Sequence, residues 1–219
     1  MMRIARVVPM LFAFTLCSAS MLRAQPAAST EMPGYAEFNA GATLGHKSDL
    51  SVGGEAGWAV MSNLDIFVEG GHIGNAASAD MEANATKIAS NVGATSSVVS
   101  KVNYFDAGVR YRIAATPTVH PYIAVGFGAA RVTNETTLSV NGTVTPPGNL
   151  GVQFGSDLSG TETSPFLLVG GGVSVSFASR YFADVSYRYG RVFPKTDENG
   201  NSFNELNTNR VQVGIGIKF

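Results

Sequence analysis

The segment Thr208–Phe219 reads T-N-R-V-Q-V-G-I-G-I-K-F and alternates strictly between two kinds of side chain. Side chains in a β-strand point alternately to opposite faces of the strand. One face of this segment is therefore wholly apolar, and the other is polar and interrupted by glycines. The apolar row comprises Val211, Val213, Ile215, Ile217 and Phe219. The pattern predicts a strand that separates an apolar environment from a polar one.

The composition limits the class of protein. The chain has 219 residues, 25 of them glycine, a formal net charge of −1 and 14% charged residues, whereas a soluble domain averages about 25% charged residues. The mean hydropathy is +0.12, yet no apolar run approaches the ~18 residues that a membrane helix needs. The near-neutral charge offers no basic surface for nucleic acid. A chain of this kind forms either a large buried β-core or a membrane β-barrel.

The first 24 residues have the pattern of a secretory signal peptide. Two arginines precede the short apolar run Val7–Cys17, and we expect cleavage after Ala24. Residues 25–34 form a linker rich in Ala, Pro and Ser, and residues 35–219 form one domain. The only cysteine lies inside the predicted signal and lacks the small preceding residues of a lipoprotein signal. We therefore expect an exported mature protein without disulfides.

Eight segments alternate as the last one does, and their lengths of about 8–13 residues match the ~9–11 that cross a bilayer when tilted. They are Tyr35–Gly45, Gly54–Met61, Leu64–Ile73, Val102–Ile113, Pro121–Val132, Pro165–Phe177, Tyr181–Arg191 and Thr208–Phe219. The connections after the second, fourth and sixth segments are short, and those after the third, fifth and seventh are long. Long loops at one end are typical of membrane barrels. The sequence thus predicts an all-β fold, an eight-stranded antiparallel up-and-down transmembrane β-barrel.

Alternation alone does not say which face is outside, because a soluble barrel turns its apolar face inward. Glycines concentrate on the polar face, where a narrow lumen needs small side chains. Aromatic residues end the apolar rows at Tyr111, Phe177, Tyr181 and Phe219, as an interfacial girdle requires. Both observations favour a polar lumen. Its predicted charge network consists of Glu37, Glu55, Asp65, Glu69, Asp106, Arg110, Arg112, Asp184, Arg188, Arg210 and Lys218.

The interior of an eight-stranded barrel is just wide enough for side chains to fill it. Charges in that space must pair or carry a large desolvation cost. Four aromatic residues of the same parity, Tyr104, Tyr122, Phe166 and Phe182, are expected to help close both ends. We predict a plugged, salt-bridged lumen, and a small gated pore is the alternative.

From Tyr35 to Phe219 the chain resembles the OmpA/OmpX-like family of eight-stranded bacterial outer-membrane barrels. The resemblance rests on V-G-I-G-I-K-F at 213–219, P-Y-I-A-V-G-F-G at 121–128 and A-D-V-S-Y-R-Y at 183–189. It implies a location in the bacterial outer membrane, as a monomer among lipids and lipopolysaccharide. It also implies that the apolar row from Val211 to Phe219 is an assembly signal for the barrel-assembly machinery. The family spans many functions.

The residues give little support to catalysis. His46 and Ser48, with Glu55 nearby, loosely resemble the His-x-Ser of barrel-type lipid A deacylases, but they lie in the first loop instead of on a late strand. The segment Asp197–Asn201 has its glycine too early for a calcium loop and is predicted to be a plain turn. We predict no catalytic, cofactor or metal site. The expected role is structural or recognitional, with a small porin-like channel or a lipid A-modifying enzyme as alternatives.

Two loops have features of their own. Asn141-Gly142 predicts a tight hairpin turn, through which the fifth and sixth strands continue beyond the membrane. The loop Gly74–Lys101 is rich in Ala, Ser and Asn and is expected to be mobile.

Polar residues interrupt the apolar rows only near the long loops, at His72, Asn103, Arg131, Arg191 and Asn209. The two arginines lie on strands separated by one neighbour, which predicts a separation of roughly 10 Å at about 4.8 Å per strand. Because a guanidinium suits phosphate oxygens, we expect Arg131 and Arg191 to contact lipopolysaccharide. The alternative is that both extend above the bilayer.

Overall fold

The computed structural model describes residues 33–113, 116–196, 202–203 and 205–219. The predicted signal peptide, most of the linker and the predicted turn Asp197–Asn201 lie outside these residues. Eight long strands form the fold: β1 Gly34–Thr43, β2 Leu50–Met61, β3 Leu64–Ile73, β4 Thr95–Arg112, β5 Val119–Val140, β6 Gly160–Ser176, β7 Tyr181–Val192 and β8 Leu206–Lys218. The described segments contain no helix with the length and apolar character needed to span a membrane.

Each strand pairs antiparallel with its neighbours in sequence, and β1 pairs with β8 to close the ring. Directly paired residues lead from Glu37 through the eight strands to Leu206. In the pairing of β1 with β8, Tyr35 faces Lys218. If this register is extended along β8 to Leu206, Leu206 lies opposite position 47 of the first strand. The ring therefore closes with an offset of 47 − 37 = 10 residues. At about 3.3 Å per residue and 4.8 Å per strand, this offset gives a strand tilt of about 40°, which is usual for a membrane barrel.

The apolar rows face outward. Phe38, Phe105, Phe127, Val213 and Ile215 are each 58–61% exposed. The residues of opposite parity, among them most of the predicted charge network, are buried inside the ring. An apolar exterior around a polar interior is the arrangement that lipid requires, so the predicted orientation is confirmed.

The predicted girdle residues are exposed at the end of the barrel that carries the short turns. Phe177 stacks on Tyr181 with ring centroids 6.3 Å apart. Trp58 meets Phe219 edge to face at 6.2 Å. Both pairs are aromatic and lie near the ends of the apolar rows, as is typical of residues at the interface between lipid and water.

Strands β4, β5 and β6 are 18, 22 and 17 residues long and extend well beyond the rest of the ring. The predicted limits at Val102, Val132 and Pro165 were wrong by five to eight residues, since β4 begins at Thr95, β5 ends at Val140 and β6 begins at Gly160. The outward rows of these extensions are mainly polar, with threonines and serines at Thr95, Ser97, Thr133, Thr137 and Ser139. A strand above the bilayer needs no apolar outer face, so apolar alternation does not mark it.

The loop between β3 and β4 contains a helix, α1, at Ala79–Ser90. Ser78 caps this helix by accepting a hydrogen bond from the backbone N–H of Met81 at 3.2 Å. Met81, Ala85 and Ala89 are spaced four residues apart and form one buried face. Part of the loop that we expected to be mobile is thus an amphipathic helix, in which Ala85 and Ala89 lie on the buried face.

The buried face of α1 packs against the side of β4 and β5 that continues the lumen wall. Val98 and Leu138 meet it there, and Val152 and Leu158 from the loop before β6 complete the contact. Two side chains of β5 hold that loop through hydrogen bonds from Asn134 to the carbonyl oxygen of Asp157 at 2.9 Å and from Thr136 to that of Leu158 at 2.6 Å. We call α1 and residues 146–159 the cap.

The predicted turn at Asn141-Gly142 is confirmed, and both residues have positive φ angles of 51° and 81°. The prediction that the sixth strand continues through this turn was wrong. Its return strand is the separate short strand Thr143–Thr145, which pairs with the end of β5. A 3₁₀ helix at Pro147–Leu150 follows before β6 begins. Two further short strands, Lys195–Thr196 and Ser202–Phe203, pair in the loop between β7 and β8.

Candidate functional site

The interior charges are separated by sign. On β1 to β4, Glu37, Glu55, Glu69 and Asp106 lie directly opposite one another in a single row across four neighbouring strands. All four are 7% exposed or less. Like charges directly opposite on neighbouring strands repel each other, so this acidic row needs counter-charges from the rest of the lumen.

Three buried arginines supply those counter-charges. Arg110 Nη2 lies 2.6 Å from Glu55 Oε1 and 3.8 Å from a Glu37 oxygen. Arg188 Nη2 lies 2.9 Å from Glu55 Oε2, and its Nε lies 3.7 Å from Glu69. Arg210, which pairs directly with Arg188 on the neighbouring strand, lies 3.6 Å from the other Glu69 oxygen. Glu55 is thus shared by two arginines and is the centre of the network.

Asp106, at the end of the acidic row, is different. It is fully buried, and neither of its carboxylate oxygens has a hydrogen-bond partner among the described residues. The three arginines contact Glu37, Glu55 and Glu69 instead. A charge at Asp106 would repel Glu69, its direct neighbour across β3 and β4.

Tyrosines complete the network. Tyr35 donates a 2.5 Å hydrogen bond to Glu55, and Tyr122 donates one of 2.9 Å to Asp184. The guanidinium of Arg110 lies 5.0 Å from the ring centre of Tyr35 and 4.0 Å from that of Tyr122. Aromatic faces attract such cations when the site is desolvated, so these rings stabilise the arginine as well as filling space.

Tyr104 links the network to the half of the lumen nearer the long loops. Its hydroxyl donates to Glu69 at 2.9 Å and accepts from Arg210. Its ring also packs on Phe166, with centroids 5.4 Å apart.

The remaining predicted network residues lie toward the short turns. Arg112 pairs with Asp65 at 3.0 Å. Lys218 donates a 2.8 Å hydrogen bond to Ser176 and lies 6.0 Å from the ring centre of Phe182. Both basic residues are only half-buried, so they belong to the rim of the charge network.

The sequence analysis predicted aromatic residues such as Tyr104 and Phe166 inside the lumen but missed the aliphatic part of an apolar layer in its long-loop half. This layer consists of fully or nearly fully buried residues on six strands, with Ala76 of the loop before α1 packed against it. Its members include Ile73, Val102, Val132, Phe166, Leu168, Val192 and Leu206. They share the parity of the lumen charges, so an apolar residue at a lumen position near a strand end is the signal that could have found them.

The two arginines of the long-loop rim differ in their surroundings. Arg131 faces outward and is exposed, in line with Asn103 on β4 and Thr163 on β6. Arg191 pairs with Glu205 at 2.5 Å and lies 5.6 Å from the ring centre of Phe193.

The predicted separation of 10 Å between these arginines was wrong. On the intervening strand β6, Arg131 is opposite Thr163, whereas Arg191 is opposite Leu167, four residues further along. This stagger adds about 13 Å along the strand to the lateral spacing, giving roughly 16 Å between the backbones.

The residues that resemble a deacylase motif are not brought together. His46 contacts Glu82 of α1, whereas Glu55 is bonded to Tyr35, Arg110 and Arg188 inside the lumen. Within the described ranges, no three His, Cys, Asp or Glu side chains are grouped as a metal ion would require.

A closed ring of eight tilted strands, apolar outside and charged inside, defines an integral membrane β-barrel. The family model described as outer membrane protein beta-barrel domain matches residues 14–219, and the chain belongs to this family. Its location is accordingly the bacterial outer membrane. No curated protein matches the sequence.

Solved outer-membrane barrels share the fold. Neisserial surface protein A is 16% identical, with 85% of this chain and 96% of that chain covered and a TM-score of 0.52. The N-terminal β-barrel domain of OprF from Pseudomonas aeruginosa is 15% identical, with 86% and 98% covered and a TM-score of 0.50. At these identities the likeness concerns the fold alone.

The acidic row offers a matched pair of substitutions. Glu55→Gln leaves Arg110 and Arg188 without their shared counter-charge, so we expect a loss of about 3–5 kcal/mol in the free energy of unfolding. Asp106→Asn removes a carboxylate whose oxygens have no hydrogen-bond partner among the described residues, so we expect no loss or a gain. Urea titration in micelles, followed by the fluorescence of Trp58, the only tryptophan, measures both. Equal destabilisation by the two substitutions would contradict this assignment.

Proposed function

We propose that this outer-membrane barrel has a plugged lumen, has no catalytic activity, and acts through its long-loop end in a structural or recognition role. The observation that carries the proposal is the filling of the lumen by large side chains. Arg188, Arg210, Phe166 and Phe182 each lie inside the ring with exposures of 2% or less. Two further layers support closure, namely the apolar layer above the charges and the cap above that layer.

The long-loop end is the surface that we propose to face the outside of the cell. In bacterial barrels, short turns face the periplasm and long loops face outward. Here the long-loop end has its own buried contacts between α1, the strand extensions and the loop before β6. An ordered surface costs less conformational entropy on binding than a flexible loop does, which favours a recognition role.

Export and assembly are part of the same proposal. Residues 1–24 would direct secretion, and residues 25–34 would link the signal to the barrel. The row Val211, Val213, Ile215, Ile217 and Phe219 would be read by the barrel-assembly machinery, and the product would be a monomer among lipids. The outward exposure of this row, 39–60% for its five members, is consistent with that role.

The plugged lumen predicts a conductance near background. Purified protein in planar bilayers should show no steady single-channel steps, because side chains occupy the section that ions would cross. The double substitution Phe166→Ala with Leu168→Ala thins the apolar layer and should raise the conductance. Large steady steps from the wild-type protein would favour the alternative, a small porin-like channel.

The assembly role of the last strand predicts a separate defect. Replacing Phe219 by Asp should leave export intact but prevent barrel formation, because it places a charge at the end of the lipid-facing row. Unboiled gels measure assembly as a compact, heat-modifiable band. Val144→Asp, at an exposed residue of the short strand after β5, is the control and should assemble normally. A normal Phe219→Asp band would refute the role.

We propose that Arg131 and Arg191 contact lipopolysaccharide and that Arg131 contributes more to this contact than Arg191. Arg131 is exposed at the rim beside lipid-facing residues, whereas Arg191 already has Glu205 as its counter-charge. We expect Arg131→Ala to lower the amount of lipopolysaccharide retained through purification, and Arg191→Ala to lower it less. Mass spectrometry of the purified protein measures retention. If neither substitution changes it, both arginines simply extend above the bilayer.

A further inference from the structure

A row of polar side chains crosses four neighbouring strands on the outer wall of the barrel, at its long-loop end. It consists of His72 on β3, Asn103 on β4, Arg131 on β5 and Thr163 on β6, each directly paired with the next. All four have the outward parity, and directly opposite side chains on one face of a sheet are about 5 Å apart. The row therefore brings an imidazole, an amide, a guanidinium and a hydroxyl together outside the lumen charge network.

Arg131 lies at the level of the lipid headgroups. It is 131 − 119 = 12 residues along β5 from Val119, an exposed residue at the short-turn end of the barrel. At about 3.3 Å per residue and a tilt of about 40°, this separation places Arg131 about 30 Å above that end. The apolar band of an outer-membrane barrel is about 25 Å tall. The guanidinium is therefore just outside the hydrocarbon, where the phosphates of lipids lie.

The positive charge of Arg131 is not compensated by the described part of the chain. Arg191, the other rim arginine, pairs with Glu205 at 2.5 Å. Arg131 is exposed and has neither a salt bridge nor a side-chain hydrogen bond within the described ranges. Glu135, further along the same face of β5, already accepts two 3.0 Å hydrogen bonds from Lys101. An anion from the membrane surface can therefore bind Arg131 without displacing a partner that the structure shows.

The neighbours of Arg131 add hydrogen-bond donors to its charge. The side-chain oxygen of Asn103 accepts a 2.9 Å hydrogen bond from His72 Nδ1, so the N–H groups of the Asn103 amide remain to be used. On the other side of Arg131, Thr163 is exposed and offers its hydroxyl. The row contains no carboxylate. A guanidinium between an amide and a hydroxyl suits a phosphate group, whose oxygens accept from all three.

We propose that Arg131, Asn103 and Thr163 form a binding site for one phosphate group. The proposal rests on the proposed contact of the rim with lipopolysaccharide, and it names the chemical group that is bound and the two side chains that bind it together with Arg131. Two sources supply such a group: the phosphates of lipid A in the outer leaflet, and a soluble phosphorylated molecule outside the cell.

Two matched pairs of variants separate this site from the general charge of the rim. Arg131→Gln removes the guanidinium, and Lys87→Gln removes one positive charge from an exposed residue of α1 as its control. Asn103→Asp keeps an acceptor for His72 but places a carboxylate beside Arg131. Its control is Asn209→Asp, which adds the same charge on β8, three strands away. Heat-modifiable migration on gels shows that each variant folds.

Native mass spectrometry of the full-length mature barrel in detergent measures the binding of three probes: lipid A with its phosphates, dephosphorylated lipid A and inorganic phosphate. We expect the wild type to bind phosphorylated lipid A at least about tenfold more tightly than the dephosphorylated form. Arg131→Gln and Asn103→Asp should abolish this preference, because each removes the uncompensated positive charge. Lys87→Gln and Asn209→Asp should keep it.

The outcomes separate the phosphate site from the wider contact with lipopolysaccharide. Binding of phosphorylated lipid A with the expected preference identifies the lipid source, whereas binding of inorganic phosphate alone identifies a soluble ligand. Equal binding of both forms of lipid A, or a preference that Arg131→Gln keeps or that the controls also lose, overturns the phosphate site while contact with lipopolysaccharide stands. Binding of no probe overturns both.

Discussion

The lumen depends on the neutralisation of a row of neighbouring carboxylates by arginines that reach it from other strands. Glu37, Glu55 and Glu69 repel one another across the sheet, and only Arg110, Arg188 and Arg210 make their burial tolerable. Two of these arginines come from β7 and β8, and the third comes from β4. The network can therefore form only when the ring is closed, so the same interaction that fills the lumen also joins distant parts of the chain.

The inward-facing side of the strands has two roles, one within the membrane and one beyond it. Within the membrane, the inward parity carries the charges and the aromatic rings that fill the narrow ring. Beyond it, on the extensions of β4 and β5, the same parity carries Val98 and Leu138, which α1 and the loop before β6 cover. The outward parity changes in the opposite way, from apolar residues in lipid to mainly polar residues above it. The cap is thus a small water-soluble core built on strands that begin in the membrane.

This division places any recognition at the rim. The lipid-facing wall offers only an apolar surface, and the lumen is occupied by its own side chains. The rim combines fixed polar groups with an ordered backbone, because the cap and the first loop are joined through Glu82.

Strict alternation along the chain, including Val211 to Phe219, was sufficient to predict eight strands and their order, because these depend on local periodicity. The face that meets lipid was predicted from the glycines on the polar face and the aromatic residues at the ends of the apolar rows. Strand β3 was predicted to the residue. The ion-pair partners of each charged residue could not be predicted from the sequence, because they depend on the ten-residue offset with which the ring closes. That offset makes neighbours of Glu55 and Arg188, which are 133 positions apart. The registers of β5, β6 and β7 separate Arg131 from Arg191. The cap and the position of Asp106 were likewise decided by tertiary structure, because each depends on which distant segments the closed ring brings together.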